Sequence, residues 1–254
     1  MITRRAAKLL ESSGAPISDA LISITQNKER KTLVNGTNAD TDFKLQKKLN
    51  TETFELYLED LWSRISVEKR ISFAYFDSLW FSFYKDGSEK SKVLQWIKKE
   101  QIFSRKYIFV PIICWRHWNL LILCHFGEKR KSKIKQPCML LLDSLQNLNP
   151  KRLEPHIRRF VLDIYRSEGR KEPDEFISKI PLLIPKVPQQ RSGEECGIFV
   201  LYFLYLFLQS APDIFSTEGY PYFLTENWFK LEDLEKFGIE IHKSCQSKKT
   251  MDID

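Results

Sequence analysis

Apolar residues recur every three or four positions after residue 50, which is the spacing of one face of a helix. A first helix is predicted over 54–65, after Asn50, a residue type that caps helices well. A second is predicted over 73–83 and ends near Gly87, and a third covers 93–97. The first part of the folded region is therefore expected to consist of core-facing helices.

The pattern changes after residue 106, where continuous apolar runs rich in β-branched residues replace the helical spacing. Three buried strands are predicted, at 107–113, 118–124 and 139–142. The charged segment GEKRKSKIKQP at 127–137 has a glycine at one end and a proline at the other, which fits a hairpin connection. We interpret it as a solvated turn, and a docking patch for an acidic partner is the alternative.

Two further helices are predicted after the strands. Pro155 can open a helix whose apolar face spans 157–164 and which Gly169 closes. The run 196–208 is the most apolar of the chain, and Pro212 ends it. Because its length suits a helix buried in a protein core, we predict that it is the central helix of the fold.

Length and composition favour one folded domain with tails. The chain has 254 residues, of which 43% are apolar and 13% aromatic, as in proteins with a sizeable core. We predict a polar, mobile tail over 1–45, a domain over 46–245 and a short tail over 246–254. Charged residues interrupt the N-terminus, and no apolar run reaches the length of a membrane span. No signal peptide or membrane contact is therefore expected, and the protein is predicted to be intracellular.

Charge and cysteine usage narrow the partners and cofactors. The excess of 40 Lys and Arg over 33 Asp and Glu gives a net charge of +7, which favours an acidic partner without indicating nucleic acid. The sequence contains no aromatic-basic module, so no specific nucleic-acid partner is expected. The cysteines lack the paired short spacings of a zinc site and are predicted to be free thiols, with no metal or cofactor. They are Cys114, Cys124, Cys138, Cys196 and Cys245.

Cys196 opens the most apolar helix, a position that favours the reactive form of a thiol. The thiolate is the nucleophilic form, and a helix N-terminus stabilises it through the helix dipole and free backbone N–H groups. Gly193, in the preceding segment PQQRSGEE, allows a sharp turn that presents a backbone N–H toward a reacting carbonyl. Simple packing in the core is the alternative for a cysteine at this position.

Two other residues can complete a catalytic group. His117 stands between two tryptophans at the start of a predicted strand, where its ring can reach outward. Asp143 ends the run LLLD, and a carboxylate there costs desolvation unless a cationic or hydrogen-bonding partner meets it. Together with Cys196, they supply base, orienting carboxylate and nucleophile. The alternative for His117 is a core histidine without a catalytic role.

Three segments carry a resemblance to a known family, namely HWNLLIL, LLLDSL and PQQRSGEECGIFVLYF. They resemble the His-Trp, Asp-Ser and Gln-x5-Cys-Gly blocks of the Ulp/SENP deSUMOylating cysteine proteases, in the same order. The segment VLQWIKKEQIFSRKYIFVPI is similar to the stretch that leads into the histidine strand of that family. The resemblance implies a base, its orienting carboxylate, an oxyanion-hole donor, a nucleophile and a residue over the substrate's diglycine. In that order, these are His117, Asp143, Gln190, Cys196 and Trp118.

Three features depart from the family pattern. Glu195 stands where the family usually has Asp, which keeps the charge. The loop between His117 and Asp143 is longer and more basic than in the best-known members, so His125 becomes a rival for the base. The tryptophan that adjoins His117 favours the first choice. The upstream Trp-Leu-Asn-Asp block has no clear match within 62–84, which leaves the identity of the modifier open.

The resemblance implies an α+β, papain-like fold with a small mixed or antiparallel sheet flanked by helices. It implies a thiol protease that cleaves after the C-terminal Gly-Gly of a ubiquitin-like modifier, since a narrow channel favours residues without a Cβ. SUMO or a related modifier and its conjugates are the expected partners of a monomeric enzyme in the nucleus or cytoplasm. The alternatives are a NEDD8-type protease, an acyltransferase and an inactive relative that only binds a modifier.

Overall fold

The structure, a computed structural model, describes residues 48–87, 89–128, 136–146, 149–220 and 222–251. The predicted tail over 1–45 and most of the basic segment at 127–137 lie outside these ranges. The helices are α1 (Thr51–Ser63), α2 (Val67–Ser72), α3 (Trp80–Asp86), α4 (Lys90–Lys99), α5 (Glu154–Ser167), α6 (Asp174–Ser178), α7 (Cys196–Ser210) and α8 (Leu231–Met251). The strands are β1 (Phe73–Tyr75), β2 (Tyr107–Cys114), β3 (His117–Cys124), β4 (Cys138–Leu142) and β5 (Leu182–Leu183).

The strands form one mixed sheet in the order β1-β2-β3-β4-β5. The three central strands are antiparallel neighbours, and the short edge strands pair in parallel, β1 with β2 and β5 with β4. This arrangement confirms the expected α+β fold with a mixed sheet flanked by helices. Leu120 pairs with Leu142. The first residues of β3 and the last residues of β4 therefore lie at the same end of these two neighbouring strands.

An apolar cluster on each face of the sheet explains why the strands appear as continuous apolar runs. Successive side chains of a strand point to opposite faces, and here both faces are buried. One cluster includes α1, α7 and α8, and the other includes α3, α4 and α5. The central helix α7 packs against β3. In the part of the chain that the structure describes, no helix is both long and apolar enough to cross a membrane.

Residue chemistry sets several helix ends. Asn50 caps α1, because its side-chain oxygen accepts the backbone N–H of Thr53 at 2.8 Å. Gly87 closes α3 in the left-handed conformation, with φ of 86°, which glycine adopts without steric cost. Pro155 lies in the first turn of α5, as predicted. These boundaries confirm the predicted start of the first helix and the predicted end near Gly87.

The helix predicted over 73–83 is wrong in its first part. Phe73 begins β1, and its ring stacks on Tyr107 and Phe109 of the neighbouring strand, with centroids 5.4 and 5.9 Å apart. Three residues are too few for the alternation of a strand to appear in the sequence. The helical part of the prediction begins at Trp80, where α3 starts.

The last helix, α8, was not predicted, although its apolar positions have helical spacing. Leu234, Phe237, Ile241 and Cys245 are buried against the cluster that contains α7. The helix continues to Met251, past the predicted domain end at residue 245. The domain boundaries at 45 and 245 stay predictions.

Candidate active site

Cys196 is the first residue of α7 and is fully buried. The turn before it is held by Glu195, whose Oε2 accepts the backbone N–H groups of Arg191 at 2.7 Å and Ser192 at 2.8 Å. Free N–H groups and the helix dipole stabilise negative charge at a helix start. The sulfur of Cys196 therefore lies at the end of α7 where the backbone N–H groups are free to meet a negative charge.

His117 begins β3 directly after a two-residue turn. The turn residues Trp115 and Arg116 both have left-handed backbones, with φ of 52° and 63°, as a tight hairpin between twisted strands requires. Cys114 and His117 face each other across the hairpin. The turn therefore fixes the imidazole at the edge of the sheet where β4 ends.

His117 and Asp143 form a buried pair. Nε2 of the imidazole lies 2.7 Å from Oδ1 of the carboxylate, and both side chains are almost completely shielded from solvent. The same carboxylate oxygen accepts the backbone N–H of Leu145 at 2.8 Å. Asp143 directly follows β4, so the pairing of two antiparallel strands brings the two residues together. The carboxylate thus holds the ring in one orientation.

The pKa of His117 also reflects its contact with the nucleophile. Burial disfavours the charged ring and lowers the pKa, but hydrogen bonds and charges from Asp143 and Cys196 raise it to about 9. The imidazolium is therefore the favoured form in the folded protein at neutral pH. The structure thus brings the predicted base, carboxylate and nucleophile together in one buried group.

Gln190 connects the loop before α7 to the end of β4. Its backbone N–H donates to the carbonyl oxygen of Ser144 at 2.9 Å, and its side-chain Oε1 accepts the hydroxyl of Ser144 at 2.6 Å. Its side-chain Nε2 donates to the carbonyl oxygen of Ser192 at 2.6 Å. An amide nitrogen carries two hydrogens, so a second one remains to be donated to a substrate. The role of Gln190 in an oxyanion hole stays a prediction.

Trp118 lies farther inside the protein than a residue that roofs an open channel. It is 2% exposed, and its ring stacks on Phe54 of α1 with centroids 4.0 Å apart. Beside it, Leu49 lies against Gly197, where an added Cβ would come within 3.1 Å of the leucine Cβ. Lys48 donates to the carbonyl oxygen of Arg116 at 2.5 Å. The residues that precede and begin α1 therefore contact the chain neighbours of His117 and Cys196.

His125, the rival for the base, lies just past the other end of β3. Its Nε2 accepts the backbone N–H of Phe215 at 3.2 Å, and its ring packs on Tyr107 with centroids 5.1 Å apart. Eight residues of extended chain separate it from His117, roughly 26 Å at the usual rise of a strand. The structure does not bring it to Cys196.

The five cysteines all lie within the described ranges. Each of them is buried and forms no disulfide there. Cys124 and Cys138 pair directly across two strands, and burial, then the neighbouring Cys138, raise the pKa of the Cys124 thiol well above its ordinary value. Among the described residues, no group of three or more His, Cys, Asp or Glu side chains is arranged to hold a metal ion.

The sequence alone gave no role to Ser144. For Glu195, it showed only that the residue keeps the negative charge of the Asp that the family usually has there. Both lie inside the segments that carried the family resemblance, LLLDSL and PQQRSGEE. Their position between other motif residues could have marked both as parts of the site. The hydrogen bond of Ser144 to Gln190 could not be predicted, because it forms only when the loop after β4 meets the loop before α7.

A buried thiol at a helix start, an imidazole in contact with it and a carboxylate that orients the imidazole define a cysteine-type hydrolase site. Comparison of the sequence with known protein families leads to the same class of enzyme. The C-terminal catalytic domain of the Ulp1 protease family matches residues 47–248, and the chain belongs to that family. The family consists of cysteine peptidases, which confirms the predicted enzyme class.

Known relatives share this domain within longer proteins. The probable ubiquitin-like-specific protease 2A of Arabidopsis thaliana is 29% identical over 205 residues, which cover 73% of this chain and 26% of the relative. The ubiquitin-like-specific protease 2 of Schizosaccharomyces pombe is 27% identical over 66% of this chain and 32% of its own length. The crystal structure of a de-sumoylating protease shares the fold, with a TM-score of 0.52, 20% identity, and coverage of 66% of this chain and 64% of that one.

Proposed function

We propose that the protein is a thiol protease that cleaves after the C-terminal Gly-Gly of a ubiquitin-like modifier, in a precursor or in an isopeptide conjugate. The proposal depends on one observation: His117 contacts both Asp143 and Cys196. Cys196 is the first residue of a buried helix. Membership of the Ulp1 family supports a ubiquitin-like modifier as substrate. The motif resemblance to deSUMOylating enzymes supports SUMO as that modifier.

In the first half of the proposed reaction, the thiolate of Cys196 attacks the carbonyl carbon of the terminal glycine. The carbonyl oxygen becomes an oxyanion, which accepts hydrogen bonds from the backbone N–H of Cys196 and from the side chain of Gln190. The C–N bond then breaks, and the His117 imidazolium gives its proton to the leaving amine. The modifier remains on Cys196 as a thioester.

In the second half, neutral His117 takes a proton from water, and the water oxygen attacks the thioester carbonyl. Collapse of the new oxyanion breaks the C–S bond, releases the C-terminal carboxylic acid of the modifier, which then loses its proton to solvent, and regenerates the thiolate and the imidazolium. Asp143 keeps the ring in position through both halves. These residues account for every proton and electron pair, so the proposal includes no cofactor.

The proposed role of Trp118 requires a local rearrangement. In this structure, the ring of Trp118 stacks on Phe54. To lie over the diglycine, the ring must give up part of this contact and contact the substrate. A glycine pair is the peptide that such a narrow space accepts, because it has no side chains.

Hydrolysis of C-terminal fluorogenic derivatives of SUMO, NEDD8 and ubiquitin, measured side by side, tests the proposal. We expect the fastest release from SUMO. Faster release from NEDD8 would replace SUMO by the NEDD8 alternative within the same enzyme class. Retention of a modifier in a pull-down without hydrolysis of any derivative would contradict the enzyme proposal and favour a binding relative.

A further inference from the structure

Ser144 joins the loop after β4, which contains Asp143, to the loop that leads into α7 and Cys196. It follows Asp143, and it is almost completely buried. Two hydrogen bonds connect it to Gln190, one from its hydroxyl to the amide oxygen and one from the backbone N–H of Gln190 to its carbonyl oxygen. A buried serine with this partner is placed to control the amide.

An oxyanion hole needs the nitrogen end of the Gln190 amide, because the oxygen end would repel the developing charge. The two ends of the amide meet different partners. The hydroxyl of Ser144 donates to Oε1, and the carbonyl oxygen of Ser192, which can only accept, takes one hydrogen of Nε2. These bonds at both ends fix the amide plane and leave the second N–H of Nε2 in a defined direction.

We propose that Ser144 is a positioning residue for the oxyanion hole: its hydroxyl holds the Gln190 amide so that the nitrogen faces the reacting carbonyl. This inference rests on the proposed function, since it concerns the same site. It adds a residue whose effect on the reaction passes through Gln190 alone.

Other bonds hold the same two loops and make the hydroxyl of Ser144 separable from them. The side chain of Gln189 donates to the carbonyl oxygens of Asp143 at 3.1 Å and Val187 at 2.9 Å, and it accepts the backbone N–H of Gln146 at 2.9 Å. Glu195 holds the turn before Cys196. Removing the hydroxyl should therefore release the amide without releasing the loops.

The test compares two reactions of Cys196 that differ in their need for an oxyanion hole. Acylation by p-nitrophenyl acetate passes through an oxyanion, whereas alkylation by iodoacetamide takes place at a saturated carbon and forms none. Both reagents must reach the same buried sulfur, so the ratio of the two rates cancels differences in access. The ratio also needs no modifier substrate.

For Ser144→Ala we expect the acylation rate, and kcat on a SUMO derivative, to fall about tenfold to a hundredfold. This is less than the loss of on the order of a hundred- to a thousandfold expected when the donor itself is removed by Gln190→Ala. Alkylation and KM should stay within about twofold, since neither depends on the hole. Ser144→Thr, which keeps the hydroxyl, should restore most of the acylation rate.

Two controls complete the design. The double variant of Ser144→Ala and Gln190→Ala should be no slower than Gln190→Ala, because the serine acts only through the amide. Ser178→Ala is the matched control, since that hydroxyl bonds the carbonyl oxygen of Glu175 on an exposed helix, far along the chain from the site.

An unchanged acylation rate in Ser144→Ala would overturn the inference. Equal losses of acylation and alkylation would also overturn it, since they would mean that the serine supports the whole site and not the amide. Failure of the wild-type protein to hydrolyse any modifier derivative would count against the proposed function, while the ratio of acylation to alkylation would still decide the role of Ser144.

Discussion

Two buried histidines lie at the opposite ends of β3, and their hydrogen-bonding partners differ in kind. His117, at the start of the strand, faces a carboxylate and a thiol, whereas His125, just past its end, accepts a backbone N–H from Phe215. The ring nitrogen that accepts this bond uses its lone pair on the backbone. Burial and a good hydrogen bond are common to both ends. The chemistry of the partners therefore distinguishes the histidine that we propose as the base from one that hydrogen-bonds the backbone.

Replacing the Cys196 thiol should cause the largest loss of activity, because the sulfur lies beside His117. It should not change the surroundings of His125 at the other end of β3. Cys196→Ser changes one atom, and a serine hydroxyl is a far weaker nucleophile than a cysteine sulfur, so attack should fail. We expect no measurable hydrolysis of SUMO derivatives, with modifier binding retained in a pull-down and the melting temperature almost unchanged. Covalent labelling of the wild type at Cys196 by a modifier with a C-terminal electrophile is the positive control. Full turnover by the serine variant would show that Cys196 is structural.

Exchanging each histidine for alanine should separate catalysis from stability. His117→Ala should lose at least about a hundredfold of kcat, the lower end for general acid-base catalysis. His125→Ala should keep most of the activity but lose about 1–3 kcal/mol of unfolding free energy, because the buried N–H of Phe215 loses its acceptor. Denaturant unfolding and turnover, measured on both variants, check the two halves of the comparison. The reverse pattern would reject His117 as the base.

Asp143→Asn should have a smaller effect, because the imidazole remains beside Cys196. We expect turnover to fall strongly and the pKa of His117 to move down from about 9, since the carboxylate that favours the imidazolium is gone. In the wild type, a pKa raised above 6.5 adds stability that is fully present below pH 6.5 and is lost as pH rises through about 9. Titration of the imidazole by NMR checks the direction. Wild-type turnover in this variant would remove Asp143 from the site.

The catalytic group was open to prediction because each member has a local signature. Asp143 ends an apolar strand, Cys196 opens an apolar helix, and His117 begins a strand, so the ends of predicted elements already place the three residues. β1 escaped prediction because its three residues gain their structure from pairing with β2. The bonds of Ser144 and Glu195 escaped because loops far apart in sequence must meet before they form. The local sequence pattern thus predicts helices, strands and their ends. Short strands and bonds between distant loops depend on tertiary contacts, which the pattern does not show.

The burial of Cys196, whose neighbour Gly197 lies against Leu49, makes access of a substrate depend on how often the protein adopts a more open conformation. Because Cys196 is fully buried in this conformation, a threaded peptide can reach the sulfur only in conformers that expose it. The apparent dissociation constant equals the intrinsic one divided by the fraction of open conformers, so a tenfold rarer open state weakens apparent affinity tenfold. The same fraction limits how often a small oxidant meets the thiol. We therefore expect a rarer open state to weaken apparent affinity for the substrate and to slow oxidation of the thiol in the same proportion.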